Sequence, residues 1–212
     1  MSEYKSIEKI NDELSKACNG GDYEIVKSSI LKGANIHHKD IYGNTPLILA
    51  STYGHIKVVE LLILNGANIH DKNNKGYSPI IVSPDGNIEV TELLISFGAN
   101  VNDKTIHGNS PLYYASMNID IIKLLISNGA CIYHENNDGF SILIQAEINF
   151  SRYKNNEGYP LPIRYDKCFE IVQVLKRWPL TMLIVVLQEL VVYHLLDCES
   201  FSDFNEYFGE IV

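Results

Sequence analysis

Two sets of glycines recur along this chain at one shared interval. The first set, whose members are each followed by Ala, is Gly33, Gly66, Gly98 and Gly129. The second set is Gly43, Gly76, Gly108 and Gly139. In both sets the successive spacings are 33, 32 and 31 residues. Two motifs that keep one period indicate a stack of similar units rather than a single globular core. Because such a stack offers a long surface with no chemistry of its own, we expect binding before catalysis.

The unit at residues 40–72 shows how one repeat is built. Its opening turn ends at Gly43, after which Thr45 is expected to cap a helix that has Pro46 at its first position. Apolar residues then predict a short first helix and, after a tight connection, a second helix that Gly66 ends. Neither helix is long enough to be stable alone in water, so each unit needs neighbours. The predicted core leucines are Leu47, Leu49, Leu61, Leu62, Leu93, Leu94, Leu124 and Leu125.

The string GNTPLILASTYGHIKVVELLILNGANI, at residues 43–69, resembles the ankyrin repeat. The resemblance extends over most of the unit. It implies a β-turn finger and two antiparallel helices per repeat, stacked into a curved solenoid. The fold class is therefore expected to be all-α, closed by a helical cap at the C-terminus. It also implies a protein-binding module rather than an enzyme.

The other units depart from this pattern in ways that suggest a domain organisation. Residues 1–38 lack the Thr-Pro-Leu turn and are interpreted as an N-terminal capping repeat, followed by repeats over 39–178. In the second full unit Pro84 is expected to end the first helix early, and the third unit is two residues short in its first helix and connecting loop. The last repeat is interrupted by a loop at 149–166.

The segment 179–212 is interpreted as C-terminal capping helices. An alternative is a degenerate F-box-like segment, because some viral ankyrin proteins end in one and recruit a ubiquitin-ligase adaptor. Here Trp178, Pro179 and Leu180 replace the opening Leu-Pro pair of that motif. In that case the chain is the substrate receptor of a ubiquitin ligase. The apolar stretch 179–196 is near the length of a membrane span, but Gln188, Glu189 and His194 argue against spanning.

Composition and motifs narrow the classes of function. The net charge of −9 argues against a nucleic-acid surface, which needs clustered Lys and Arg. The four cysteines form no CxxC pair, so a reducing compartment, no disulfide framework and no zinc site are expected. The charged N-terminus lacks an apolar signal core, which favours the cytoplasm. No nucleotide-binding or hydrolase motif is present, so neither a catalytic site nor a cofactor is predicted.

The histidines offer the most tempting candidate for a metal site. His37 and His70 lie 33 residues apart and so occupy equivalent positions in neighbouring repeats. Equivalent positions are separated by about one helix spacing, roughly 8–10 Å, whereas two imidazoles on one zinc need bonds of about 2 Å each. The equivalent positions in the next units hold Asn102 and Tyr133. A structural role in turn hydrogen bonding is therefore expected.

The resemblance also names a binding surface. In ankyrin proteins, partners usually contact the finger tips and the inner face of each first helix. By position, these residues are Ile41, Tyr42, Asn44, Thr52, Tyr53, Asn74, Lys75, Tyr77, Ile106, His107, Asn109, Tyr113 and Met117. Rigid aromatic area beside adaptable polar groups suits protein contacts. The expected partner is another protein, with no nucleic acid or membrane involved, and the chain itself is expected to be a monomer. Its composition suits an ankyrin protein of a large DNA virus or intracellular bacterium, acting in the host cytoplasm.

Overall fold

The computed structural model describes residues 2–83, 87–115 and 118–141. Within these ranges the chain forms helices and no strands. The helices are α1 (Ser2–Gly20), α2 (Tyr23–Leu31), α3 (Pro46–Thr52), α4 (Ile56–Leu64), α5 (Pro79–Val82), α6 (Ile88–Ser96), α7 (Pro111–Tyr114) and α8 (Ile119–Ser127). The two helices of each unit pair, as α1 with α2 and α3 with α4. Odd-numbered helices also pack on odd-numbered ones, and even-numbered helices on even-numbered ones, from one unit to the next. The predicted all-α repeat architecture is confirmed.

A tight turn, here called a finger, precedes each odd-numbered helix from α3 onward. Fingers 1, 2 and 3 comprise residues 40–44, 73–77 and 105–109, and finger 4 comprises residues 136–140. Each is closed by two backbone bonds, as in finger 1, where the Asp40 N–H donates to the Asn44 carbonyl at 3.0 Å and the Gly43 N–H donates to the Asp40 carbonyl at 2.9 Å. Within the first unit the chain turns from α1 to α2 at Gly21, as it turns from α3 to α4 at Gly54, and both glycines have positive φ.

The starts of the odd-numbered helices follow the predicted capping, with one exception. The hydroxyl of Thr45 accepts a hydrogen bond from the Ile48 N–H at 3.3 Å, and Pro46 occupies the first turn. Ser110 caps α7 in the same way, accepting from the Tyr113 N–H at 3.4 Å. Ser78, at the equivalent position before α5, makes no capping bond, and its buried hydroxyl has no partner among the described residues.

The Gly-Ala motif ends the even-numbered helices. At the end of α4, Gly66 has φ +91° and donates to the Ile63 carbonyl at 2.9 Å, while Ala67 donates to the Leu62 carbonyl at 2.9 Å. These two bonds form a Schellman motif, which needs a residue in the left-handed conformation and therefore favours glycine. The same pair of bonds ends α2, α6 and α8. The predicted stop at Gly66 is confirmed.

Repeat length varies at one place only among the described units. Each even-numbered helix has nine residues and begins 20 residues before the next finger glycine. The odd-numbered helices differ: α3 has seven residues, whereas α5 and α7 have four. The predicted shortening of the third unit is therefore confirmed. In the second unit α5 ends at Val82, before Pro84, which itself lies outside the described residues.

The core runs along the helix pairs, and half of the predicted core leucines are fully buried. The buried members are Leu47, Leu62, Leu94 and Leu125. The others, which keep part of their surface exposed, are Leu49, Leu61, Leu93 and Leu124. Of this second group, Leu49, Leu61 and Leu93 pack against the buried cluster, as predicted for core residues. Consecutive helical residues point about 100° apart, so a leucine beside a fully buried one can lie at the edge of the core-facing side.

Candidate functional site

Each finger is held by side-chain bonds from its first residue. In finger 1 the Asp40 carboxylate accepts from the Tyr42 N–H at 2.9 Å and from the Asn44 N–H at 2.8 Å. The amide oxygen of Asn73 accepts equivalent bonds in finger 2, from the N–H groups of Lys75 and Tyr77. A side-chain oxygen of Asp or Asn that accepts bonds from the backbone N–H groups two and four residues later fixes the turn locally. The finger tips are therefore preformed.

Neighbouring fingers are also bonded to one another through the backbone. The Asn74 N–H donates to the Tyr42 carbonyl at 3.0 Å, and the Ile106 N–H donates to the Lys75 carbonyl at 3.1 Å. Fingers 3 and 4 repeat this bond, from Asn137 to His107. The approach is close: a Cβ added to Gly43, where φ is +80°, would lie 2.8 Å from the Asn74 nitrogen. Glycine is therefore required here by both conformation and space.

All three asparagines predicted to contact a partner are partly engaged within this network, and the Asn74 Nδ2 atom donates to the Ile41 carbonyl at 3.3 Å. The Asn44 Oδ1 atom accepts from Asn73 Nδ2 at 2.7 Å, and the Asn109 Oδ1 atom accepts from Asn136 Nδ2 at 2.7 Å. Both Asn44 and Asn109 are half-buried. Their side chains thus join adjacent fingers. Only the part of each side chain that stays exposed is accessible to a partner.

An open groove of about 380 Å³ lies beside the first two fingers and α3. It is lined by Tyr42, Asn44, Ile48, Leu49, Thr52, Tyr53, Asn73, Asn74, Lys75, Tyr77 and Val82. Seven of the thirteen predicted contact residues are among them. Tyr42 and Tyr53 keep 64% and 55% of their surface exposed, so the groove presents aromatic faces directly to solvent. Among the described lining residues, Lys75 is the one Lys, Arg, Asp or Glu.

The remaining predicted contact residues lie apart from this groove. Ile41 projects from finger 1 with 86% of its surface exposed, and Ile106 projects from finger 3 with 59% exposed. His107 is exposed beside it. Tyr113 is half-buried on α7, with its ring edge-on to that of Tyr114 at 5.5 Å. Met117 lies outside the described residues.

Sequence reasoning missed four residues that line the groove: Ile48, Leu49, Asn73 and Val82. Asn73 was recognisable in principle, because it stands 33 residues after Asp40 at the start of the next finger. Ile48, Leu49 and Val82 are apolar residues of the first helices, and helical spacing alone does not show which edge of such a helix meets solvent.

Comparison with known sequences identifies the repeats. The sequence model of the family described as "Ankyrin repeats (3 copies)" matches residues 14–105 and 81–155, about two thirds of the chain. The chain belongs to the ankyrin repeat family. A curated protein of Rickettsia felis, whose name places it among ankyrin repeat proteins, is 38% identical over 52 residues, which make up 24% of this chain and 79% of the relative.

Ankyrin repeats are generally protein–protein interaction modules. The family match ends at residue 155, and the segment 179–212 lies outside the described residues. The interpretation of that segment as a cap and the F-box-like alternative therefore stay predictions. Among the helices that the structure describes, none has the length and apolar character needed to cross a bilayer.

The histidine positions of this ankyrin repeat protein are held by turn hydrogen bonds. The backbone N–H groups of His37 and His70 donate to the side-chain oxygens of Asn35 and Asn68, each at 3.0 Å. The His37 ring lies 3.9 Å from the Asp71 carboxylate. In the described part of the chain, no three side chains of His, Cys, Asp or Glu come together as a metal site needs.

Proposed function

We propose that this protein is a non-enzymatic binding module that holds a partner protein against its fingers and first helices, the concave face expected of ankyrin repeats. The observation that carries the proposal is the groove beside fingers 1 and 2. Its lining combines the exposed rings of Tyr42 and Tyr53 with the polar side chains of Asn74 and Lys75. Interfaces favour such aromatic anchors, because they bury large area at low cost in conformational entropy.

The rigidity of the fingers supports this proposal. Backbone bonds tie each finger to the next, and Asp40 and Asn73 fix the two fingers that line the groove. A preformed surface loses little freedom when it binds, which improves affinity for a given contact area. The predicted contacts Ile41, Ile106 and His107 project beside the groove and would extend the interface along the row of finger tips.

Site-specific photo-crosslinking tests the proposed face. A benzophenone amino acid is introduced at Tyr42, Tyr53 or Ile106 on the finger side, and at Lys27 or Glu92 on the exposed side of the even-numbered helices. Each variant is irradiated in a eukaryotic lysate, and crosslinked proteins are identified by mass spectrometry. We expect one common partner at the finger positions and none at the two control positions. Crosslinks confined to Lys27 or Glu92 would contradict the proposal.

We also propose that the protein is a monomer, that it needs no cofactor and that it acts in the cytoplasm of a host cell. Sedimentation of the purified protein tests the monomeric state, and fractionation of producing or infected cells tests the location. A stable dimer, or recovery in a membrane fraction, would contradict the corresponding part.

A further inference from the structure

We propose that the groove beside fingers 1 and 2 takes an extended segment of the partner protein that places a carboxylate against Lys75 and an apolar side chain on the rings of Tyr42 and Tyr53. This inference rests on the proposed function and specifies which partner chemistry that surface recognises. It concerns one site of the finger face, lined by residues of α3, α5 and both fingers.

Charge is the first argument for an acidic segment. The chain carries a net charge of −9, yet the described residues that line the groove include one cation, Lys75, and no carboxylate. Asp40 is the nearest acid in the finger sequence, and its carboxylate oxygens are turned inward to accept bonds from Tyr42 and Asn44. More distant charges are screened over about 10 Å at 0.1 M salt. Lys75 therefore attracts a carboxylate of the partner that enters the groove, whereas it repels a cation of the partner.

The exposed aromatic rings supply the second argument. Tyr42 and Tyr53 leave more than half of their surface in solvent, and Leu49 and Val82 are partly exposed at the same groove. Covering such apolar surface with an apolar side chain of the partner favours binding. A purely polar acidic peptide would leave this surface uncovered, so the segment must combine its acid with Leu, Pro or an aromatic residue.

Groove size and polar lining favour an extended segment over a folded surface. A volume of about 380 Å³ is at the lower end of what small ligands fill, which suits a few residues of chain. An extended segment exposes its backbone carbonyls, and the groove presents hydroxyl, amide and ammonium groups from Tyr42, Tyr53, Asn74 and Lys75. Aromatic-lined grooves with such donors are a recurrent way to hold extended, proline-containing segments.

Panning a peptide library on the full-length protein tests the proposal. The probe is a phage-displayed library of random dodecapeptides. We expect the enriched peptides to share an Asp or Glu close to Leu, Pro or an aromatic residue. Their affinity should fall about threefold on Lys75→Gln, the size expected for one exposed ion pair, and markedly on Tyr53→Ala. Rising salt should weaken binding to the wild type more than to Lys75→Gln.

Charge reversal gives the sharper comparison. Panning on Lys75→Glu should replace the acidic residue by Lys or Arg, whereas Lys27→Glu, which makes the same change on the exposed side of α2, should leave the selected motif unchanged. Tyr133→Ala, at an exposed tyrosine outside the groove, is the control for Tyr53→Ala. Circular dichroism confirms that each variant is folded.

Three outcomes would overturn the inference: no enriched peptide, enriched peptides that lack an acid, or acidic peptides that bind Lys75→Glu as well as the wild type. The broader function fails separately. If Tyr42 and Ile106 crosslink to a common partner but the panning fails, the finger face still binds a protein. In that case the acidic segment is not what it recognises.

Discussion

The Tyr77 hydroxyl lies 2.8 Å from the Tyr114 hydroxyl, and this contact joins finger 2 to α7 of the following unit. The Tyr114 hydroxyl also accepts a bond from Asn109 Nδ2 at 3.2 Å, and Asn109 in turn accepts from Asn136 at 2.7 Å. A chain of side-chain hydrogen bonds thus runs from finger 2 through finger 3 to finger 4. It supports the first helix of the third unit, α7, which has four residues.

Removing the central hydroxyl of this chain should destabilise the repeats. Tyr114→Phe leaves the half-buried Asn109 amide without its acceptor, so we expect a loss of about 1–2 kcal/mol in the free energy of unfolding. Urea denaturation followed by circular dichroism measures it. Tyr113→Phe is the matched control, because the neighbouring hydroxyl takes no part in the chain. Equal effects of the two substitutions would show that the hydrogen bonds contribute little.

The two kinds of glycine should respond differently to alanine. Gly66→Ala meets nothing within 4 Å and places an alanine at φ +91°, which costs about 1–2 kcal/mol. Gly43→Ala carries the same conformational cost and also brings its Cβ to 2.8 Å from the Asn74 backbone nitrogen. We therefore expect Gly43→Ala to lower the free energy of unfolding further and to disturb fingers 1 and 2. Amide exchange at Asn74, measured by NMR, separates this local effect; unchanged exchange would contradict it.

The serines before α5 and α7 should differ although their sequence positions are equivalent. Ser110→Ala removes a capping bond to the Tyr113 N–H and should cost about 1 kcal/mol. Ser78→Ala removes a buried hydroxyl with no described partner, so its effect should be near zero or stabilising. Thermal unfolding of the two variants provides the comparison. A larger loss for Ser78→Ala would show that its hydroxyl is bonded in solution.

Burial raises the pKa of the Cys18 thiol from 9.0 to about 12. Because the thiol pKa is higher in the folded state, the folded state holds the thiol proton more tightly than the unfolded state does. The resulting contribution to the free energy of unfolding is fully present below about pH 9 and is lost as the pH rises from about 9 towards 12. The free energy of unfolding should therefore fall with pH in this window more steeply for the wild type than for Cys18→Ala. Urea unfolding at pH 8 to about pH 11 measures the difference. Parallel pH profiles would contradict the assignment.

Deleting residues 179–212 tests the interpretation of that segment as a cap. Because a terminal repeat without its cap exposes apolar surface, we expect the truncated chain to unfold at a lower temperature. Circular dichroism of the full and truncated chains measures the change. A truncation that stays fully folded and loses ubiquitin-ligase subunits in affinity capture would instead support the F-box-like alternative.

The order of turns and helices in this ankyrin repeat protein was predictable because glycines mark the fingers and the ends of the second helices. Gly66 and Gly43 occupy left-handed conformations that few other residues adopt, so their spacing fixed the units and the helix ends. The first helices were less predictable. Thr45 and Ser78 both precede proline, yet only Thr45 makes the expected cap, since that outcome depends on side-chain geometry rather than residue type.

The candidate site was predictable as a set of positions but not as a shape. Position within the repeat assigned Tyr42, Tyr53 and Lys75 to one expected face, and the structure brings them to one groove. Asn44 and Asn109 were interpreted as partner contacts, whereas their amides also bond to the next finger. Spacing along the sequence does not reveal such bonds, because each links residues 27 or 29 positions apart.

Residues are lost from these repeats only between the start of each first helix and the start of the second, while the 20-residue stretch leading to the next finger glycine is constant. The finger bonds from Asn74, Ile106 and Asn137 are accordingly the same in units of different length. A change of length behind the fingers therefore leaves the row of fingers, and with it the proposed binding face, in the same register.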